Sequence, residues 1–219
     1  IKKDTDEFRI MYREGPVGTP FHELLVEGYV DGPVDVCLCV AWETDLYKEW
    51  WPQVSIPSFK IISSECLKRT GHGEQISVVR MKLPWPLSTR EAAVHFFTLG
   101  FFEDDLIVVL FNSISDSTAQ ALQIPEEDSA VRIDVVGGFV QQKIDANKSY
   151  FRHVLRVVST IDVKLDIVPP ALINFVSRQI LASGFKLYKK EVDHVSKGHE
   201  KFIPYLNEPI YDRLREALY

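Results

Sequence analysis

Apolar and polar residues alternate along much of this 219-residue chain, and the period of the alternation changes as the chain proceeds. Phe8, Ile10 and Tyr12 share one parity and Leu24, Val26 and Val30 another. Gly15-Pro16-Val17-Gly18 lies between them, so two strands joined by a turn are predicted. Asp31-Gly32-Pro33 then opens a segment as helices open, because proline is tolerated in the first turn. Val34, Cys37, Leu38 and Ala41 recur at helical spacing, but Val34, Val36, Leu38 and Val40 alternate nearly as well, and both readings stay open. Residues 45–51 read as a short helix stopped by Pro52.

From 58 to 163 the period is two. Strands are predicted at 59–69, 75–83, 91–102, 106–114, 131–144 and 150–164. Gly71-His72-Gly73, Glu103-Asp104-Asp105 and Asp145-Ala146-Asn147-Lys148 supply turns, and the polar stretch 116–129 reads as an exposed loop. After Pro169-Pro170 the period becomes helical, with Leu172, Ile173, Val176, Ile180 and Leu187 on one face as far as about residue 195. Gly184 costs that helix roughly 1 kcal/mol relative to alanine. Residues 207–219 form a shorter amphipathic pattern through Ile210, Leu214, Ala217 and Leu218. This order predicts an α+β fold: a curved antiparallel sheet around a long C-terminal helix, able to close over a cavity.

Composition narrows the function. The chain is 46% hydrophobic and 26% charged, ordinary for a folded domain, and its net charge of −6 argues against nucleic acid as partner. The longest apolar run, 106–111, is strand-sized and far short of the ~18–20 residues of a membrane span. Cys37, Cys39 and Cys66 cannot build a disulfide framework and suit a reducing, cytoplasmic setting. No signal-peptide pattern opens the chain, which begins at Ile1 as a piece of a longer protein would. Phosphate-binding, dinucleotide-binding, nucleophile-elbow and zinc-protease motifs are missing, and no Cys/His set has metal-ligand spacing, so neither cofactor nor metal is expected. Gly137-Gly138 within a strand reads as a bend or bulge rather than a phosphate cradle.

Four segments in order resemble one family. Leu83-Pro84-Trp85-Pro86-Leu87-Ser88-Thr89-Arg90-Glu91 is similar to the Pro-aromatic-Pro-x-Ser-x-Arg-acid segment of START (steroidogenic acute regulatory-related lipid transfer) domains. Tyr47-Lys48-Glu49-Trp50-Trp51, Val131-Arg132-Ile133 and Val168-Pro169-Pro170-Ala171-Leu172-Ile173-Asn174 resemble its other landmarks. The resemblance implies a helix-grip domain over residues 1–196 with an internal hydrophobic tunnel and no catalytic machinery. Residues 197–219 fall outside it, as a C-terminal extension with a short helix.

The implied function is binding, and transfer or sensing, of a single lipid or other hydrophobic molecule, with a membrane surface as transient partner. A sensing or scaffold module that engages a protein partner is the alternative, and a cyclase-like enzyme is a further one. Charged Arg80 and Lys82 mark the outer parity of their strand, so Ser77, Val79 and Met81 point inward, and Ala92 and Phe96 follow on the next strand. His153, Leu155 and Ser159 form the inward set of the last strand. Headgroup-contacting positions of phosphatidylcholine-transferring members fall on Lys48, Pro52, Val79, Ala92 and Val136, and the charged pair of sterol binders falls on Ser77 and Phe96, so neither ligand pattern is kept. Arg132 and Asp134, two apart, fit either a surface pair or a headgroup contact, and His153 either a ligand contact or a core histidine.

Pro84, Trp85, Pro86 and Leu87 are the implied gate, packing on Leu172, Phe175, Val176 and Ile180 of the last helix. Trp85 suits core packing or a bilayer interface, and Arg178, Lys186 and Lys189 either a solvated face or an anionic lipid surface. An empty apolar void costs on the order of 24 cal/mol per Å³. A hollow of ~300–1,000 Å³ would thus cost roughly 7–24 kcal/mol, as much as a domain's net stability. Such a hollow is expected to be hydrated, collapsed or occupied.

Overall fold

The alternating segments join into one curved sheet in the computed structural model of the chain. It describes all residues except 1–2, 5–7, 15–20, 56–57, 71–72, 86–87, 125–129 and 159–169, and the side chains of 3–4, 14, 21–22, 54–55, 58, 157–158 and 170–182. The described strands are β1 (Lys3–Asp4), β2 (Phe8–Glu14), β3 (Phe21–Asp31), β4 (Val54–Ser55), β5 (Ser58–Thr70), β6 (Glu74–Lys82), β7 (Thr89–Phe101), β8 (Leu106–Ser113), β9 (Ala130–Arg132), β10 (Asp134–Asp145) and β11 (Lys148–Val158). Their order across the sheet is β1-β2-β3-β11-β10-β8-β7-β6-β5-β4, with β9 beside β7. The sheet stays open, and the pairing of β3 with β11 brings the two ends of the fold together.

Two helices fill the concave side. In α1 (Val34–Trp42) every residue is buried, which explains why no helical stripe was legible: a helix enclosed on all sides needs no polar face. Burial pushes the Cys37 thiol up to about 12 and raises Cys39 as well, so both are inert packing residues. The long helix α4 (Pro170–Ser196) packs on α1 and β3 through Phe185, Tyr188, Val192 and Val195. Tyr188 donates to the Cys37 carbonyl at 2.9 Å and accepts from Gln141 Nε2 at 3.1 Å, tying both helices to the sheet. Gly32 permits this approach, because a Cβ there would stand 2.3 Å from Val192 Cγ1.

Gly184 is different. A Cβ at this position would meet Pro52 Cγ at 3.8 Å, an ordinary contact, and nothing else nearby. Gly184→Ala should therefore stabilise the protein by about 0.5–1 kcal/mol. A thermal melt would show this as a rise of about 2–4 °C per kcal/mol; an unchanged or lower midpoint would mean the helix needs glycine there.

Three expectations change. The strand predicted over 131–144 is two strands. Residues 130–132 run parallel to β7, the Ile133 amide donates to the Glu91 carbonyl at 2.8 Å, and the chain then joins β8 and β11 as β10. The loop at 116–129 contains the helix α3 (Asp116–Ala121), capped by the Ser115 hydroxyl, which accepts from the Thr118 amide at 3.2 Å. Its few apolar residues seat Ala119 on the outer face of the sheet, with Ile124, Val78 and Ala93. Gly137 and Gly138 pair in regular register with β8 and β11 rather than forming a bulge. A Cβ at Gly137 would come within 2.2 Å of the Val154 carbonyl, so close strand approach is what requires glycine.

The last residues, α5 (Ile203–Leu206) and α6 (Pro209–Leu218), pack against α1. Phe202, Tyr211, Leu214 and Leu218 are buried in the same core cluster as α1, so they share the core of residues 1–196.

Candidate functional site

Strand register decides which side chains face the two helices. One concave row runs Ile10, Val26, His153, Phe139, Val109 and Thr98. The next runs Tyr12, Leu24, Leu155, Gly137, Phe111, Phe96 and Gln75. Beyond it come Val135, Val94 and Ser77, then Ala92 and Val79, then Met81 and Ile61. Ser77, Val79, Met81, Ala92, Phe96, His153 and Leu155 thus all lie on the concave side.

Burial along these rows is uneven. Phe139, Phe151, Ile107 and Val109 are buried in one core cluster with α1 and the C-terminal half of α4. His153, Leu155, Gly137 and Val135 sit on central strands yet remain only half-buried. In a filled core these mid-sheet positions would be as enclosed as their neighbours. Leu155, Gly137 and Val135 thus mark the candidate ligand-facing part of the concave side.

Aromatic rings form its floor. Phe96 lies 5.4 Å from Phe111, Phe111 stacks on His153 at 5.9 Å, and Phe151 links His153 to Tyr188. Burial among these rings lowers the His153 pKa to about 4, against which a hydrogen bond to the Gly138 backbone works weakly, so the imidazole is neutral at pH 7. Trp42 meets Phe96 edge-on, while Tyr47, Trp50 and Trp51, in and just after the short helix α2 (Tyr47–Trp50), make a second aromatic corner, with Tyr47 and Trp51 packing on Phe59, Ile61 and Val79. The close spacing of Tyr47, Trp50 and Trp51 is the sequence signal of that corner.

The polar candidates do not converge on this region. Ser77 is fully buried and shares a hydrogen bond of 2.8 Å with Thr44. Val136 faces the opposite, convex side and is 45% exposed, and Asp134 is exposed on that side too. Arg132 is bound with Arg80 to Glu91, each at 2.6 Å, on the outer side of the sheet. Arg132 and Asp134 thus take the surface side of the alternative left open, with Arg132 on Glu91, and Val136 is turned away from the concave rows; β10 begins only at Asp134, and its concave parity is Val135, Gly137 and Phe139. Ser159 lies outside the described residues. Leu172, Phe175, Val176 and Ile180 fall in α4, where the structure describes the backbone but not these side chains.

In the segment 83–88 Pro84 is buried and Trp85 is 90% exposed, while Pro86 and Leu87 lie outside the described residues. On α4 Lys186 is exposed and Lys189 half-buried; the side chain of Arg178 is not described. Among the described residues no three His, Cys, Asp or Glu side chains converge as a metal site, and no helix is long and apolar enough to cross a membrane.

A charged cluster closes the far end of α1. Glu43, with no exposed side-chain surface, is held by Arg69 at 2.6 Å and by the Tyr211 hydroxyl. Arg69 also reaches Glu208 at 2.8 Å and Gln75 at 3.1 Å. Burial raises the Glu43 pKa, while Arg69 and Tyr211 pull against it.

No family model matches the sequence, and no curated protein is similar enough to be found by sequence. Similarity lies in the structure. A STAR-related lipid transfer protein from Xanthomonas axonopodis superposes with a TM-score of 0.67 at 21% identity, over 87% of this chain and 96% of that one. Human STARD10 gives 0.75 at 12% identity, over 97% and 80%. The Zhui aromatase/cyclase from Streptomyces gives 0.53 at 12% identity, over 79% and 94%. The chain thus has the helix-grip α+β fold of these lipid transfer structures.

Proposed function

We propose that this domain is a non-enzymatic module that takes one lipid, or another hydrophobic molecule of that size, into the space beneath α4 and shields it from water. The observation that carries this reading is the incomplete burial of His153, Leu155, Gly137 and Val135 at the centre of the concave face. Val79, Met81, Ala92, Phe96 and Leu155 offer an apolar lining with few competing polar groups, as a hydrophobic ligand needs. Lipid transfer proteins among the structural relatives support it. Ser159, Leu172, Phe175, Val176 and Ile180 complete the proposed lining.

Leu155→Trp separates an open interior from a filled one. In open space the larger ring displaces ligand and leaves stability nearly unchanged, so uptake of fluorescent lipid from donor vesicles should fall at least tenfold. In a filled interior the same change overpacks the core at a cost of about 1–3 kcal/mol, an outcome that would overturn the proposal.

Residues 83–88 and α4 serve as the gate in this account, and Trp85, with Arg178, Lys186 and Lys189, faces the membrane. An indole with 90% of its surface exposed is suited to the headgroup region of a bilayer. Trp85→Ala should lower flotation with vesicles severalfold while changing stability by less than about 0.5 kcal/mol. Undiminished flotation would remove Trp85 from the membrane-facing set. A cyclase would require an acid or base at the ligand, and the exposed Asp134 and neutral His153 offer little of either. Ligand-dependent capture of a protein partner without transfer between vesicles would favour sensing over transport.

A further inference from the structure

A tryptophan side chain has one hydrogen-bond donor, and a buried indole N–H ordinarily finds an acceptor. Three of the four tryptophans here do not follow that pattern. The indole nitrogens of Trp42, Trp50 and Trp51 are buried, and none of the described residues accepts from them. The buried Ser64 hydroxyl likewise has no partner among the described residues. Such atoms are rare in folded proteins and costly to leave unpaired. These four are gathered where α1 and α2 meet β5 and β6, and each stands beside the proposed lining. Ser64 lies opposite Val79 in register, Trp51 packs with Val79 and Ile61, and Trp42 meets Phe96 at 6.2 Å. Trp50 lies 6.0 Å from both Trp51 and Tyr188.

Charge at this corner favours a neutral guest. Two arginines share the concave side of β5–β7, and both are engaged. Arg69 holds Glu43 and Glu208, and Arg90, opposite Met81, donates to the Ser88 hydroxyl at 2.6 Å and carbonyl at 2.9 Å. Asp45 adds a carboxylate that accepts from the Cys66 amide at 2.6 Å, two residues from Ser64. A phosphate or carboxylate buried here would face that charge, whereas an uncharged oxygen needs only the donors already in place.

We infer that Trp42, Trp50 and Trp51, with the Ser64 hydroxyl, donate to uncharged oxygen acceptors of the ligand, such as an ester carbonyl, and hold its polar end at this corner. The inference rests on the proposed uptake of a hydrophobic molecule and adds its chemical class and its orientation, with the apolar body running past Phe96 and Phe111 toward Leu155. Methyl oleate, oleate and octadecene have closely similar chains and differ at the polar end. Delivered from cyclodextrin to the chain labelled with nitrogen-15 at tryptophan, methyl oleate should bind most tightly. It should move the indole proton resonances of Trp42, Trp50 and Trp51 downfield, which octadecene should not do, with the 90% exposed Trp85 as internal reference. Trp51→Phe keeps a ring and removes the donor, so it should weaken methyl oleate roughly two- to twelvefold more than octadecene. Equal affinity for methyl oleate and octadecene, with the indole resonances unmoved, overturns this inference and leaves uptake standing. Preference for oleate overturns the uncharged class, and failure of all three to bind overturns uptake as well.

Discussion

Replacing Arg69 with alanine should lower the free energy of unfolding by about 3–5 kcal/mol, the cost of stranding one member of a buried ion pair. The partner left behind, Glu43, has no exposed side-chain surface, and its remaining contact is the Tyr211 hydroxyl. Arg69 also joins Glu208 and Gln75, so its loss loosens the junction of α1, β5, β6 and the start of α6 together. Against a net stability of about 5–15 kcal/mol, that is a third or more for many domains. The loss reflects an uncompensated charge rather than a large intrinsic worth of the pair. Arg69→Met combined with Glu43→Leu should therefore recover most of it. Urea unfolding of both variants checks this. A loss below about 1 kcal/mol in Arg69→Ala would show that the cluster behaves as a surface pair.

The second large effect depends on pH. His153 has a pKa of about 4 in the folded chain because burial disfavours its charged form, against an ordinary value near 6.5 when unfolded. Above pH 6.5 both states are neutral and the residue adds no pH dependence. As pH falls from 6.5 toward 4 the unfolded chain binds a proton that the folded chain refuses, so stability declines. Below about 4 both states are protonated and the slope from this residue ends. The full loss is on the order of 3 kcal/mol. Acidic groups also titrate in this window, so the comparison is wild type against His153→Phe, whose stability should fall less between pH 6.5 and 4. Parallel curves would mean that the imidazole is hydrated and titrates normally, and the aromatic floor would then be open to bulk water.

Much of this architecture was legible in the sequence wherever charge and apolarity alternate. Arg80 and Lys82 mark the outside of β6, Arg152 and Arg156 the outside of β11, and the register agrees with both parities. β10 misled for a physical reason. Its convex residues Val136 and Val140 are apolar while its concave set includes Gly137 and the buried Gln141, so hydrophobicity no longer separates inside from outside. Arg132 and Asp134 looked like neighbours on one strand, but the chain changes partners at Ile133. α1 was ambiguous because a helix buried on all sides leaves no polar stripe. The Glu43–Arg69–Glu208–Tyr211 cluster draws on positions up to 168 residues apart, and no local pattern announces it.

In the function proposed above, the sheet and α4 enclose room for one foreign hydrophobic molecule. Native mass spectrometry after incubation with mixed-lipid vesicles and re-isolation tests it most directly. A population heavier than the bare chain by the mass of a single lipid is expected, and it should be lost in Leu155→Trp. Bare-chain mass alone, after exposure to every lipid class offered, would contradict it.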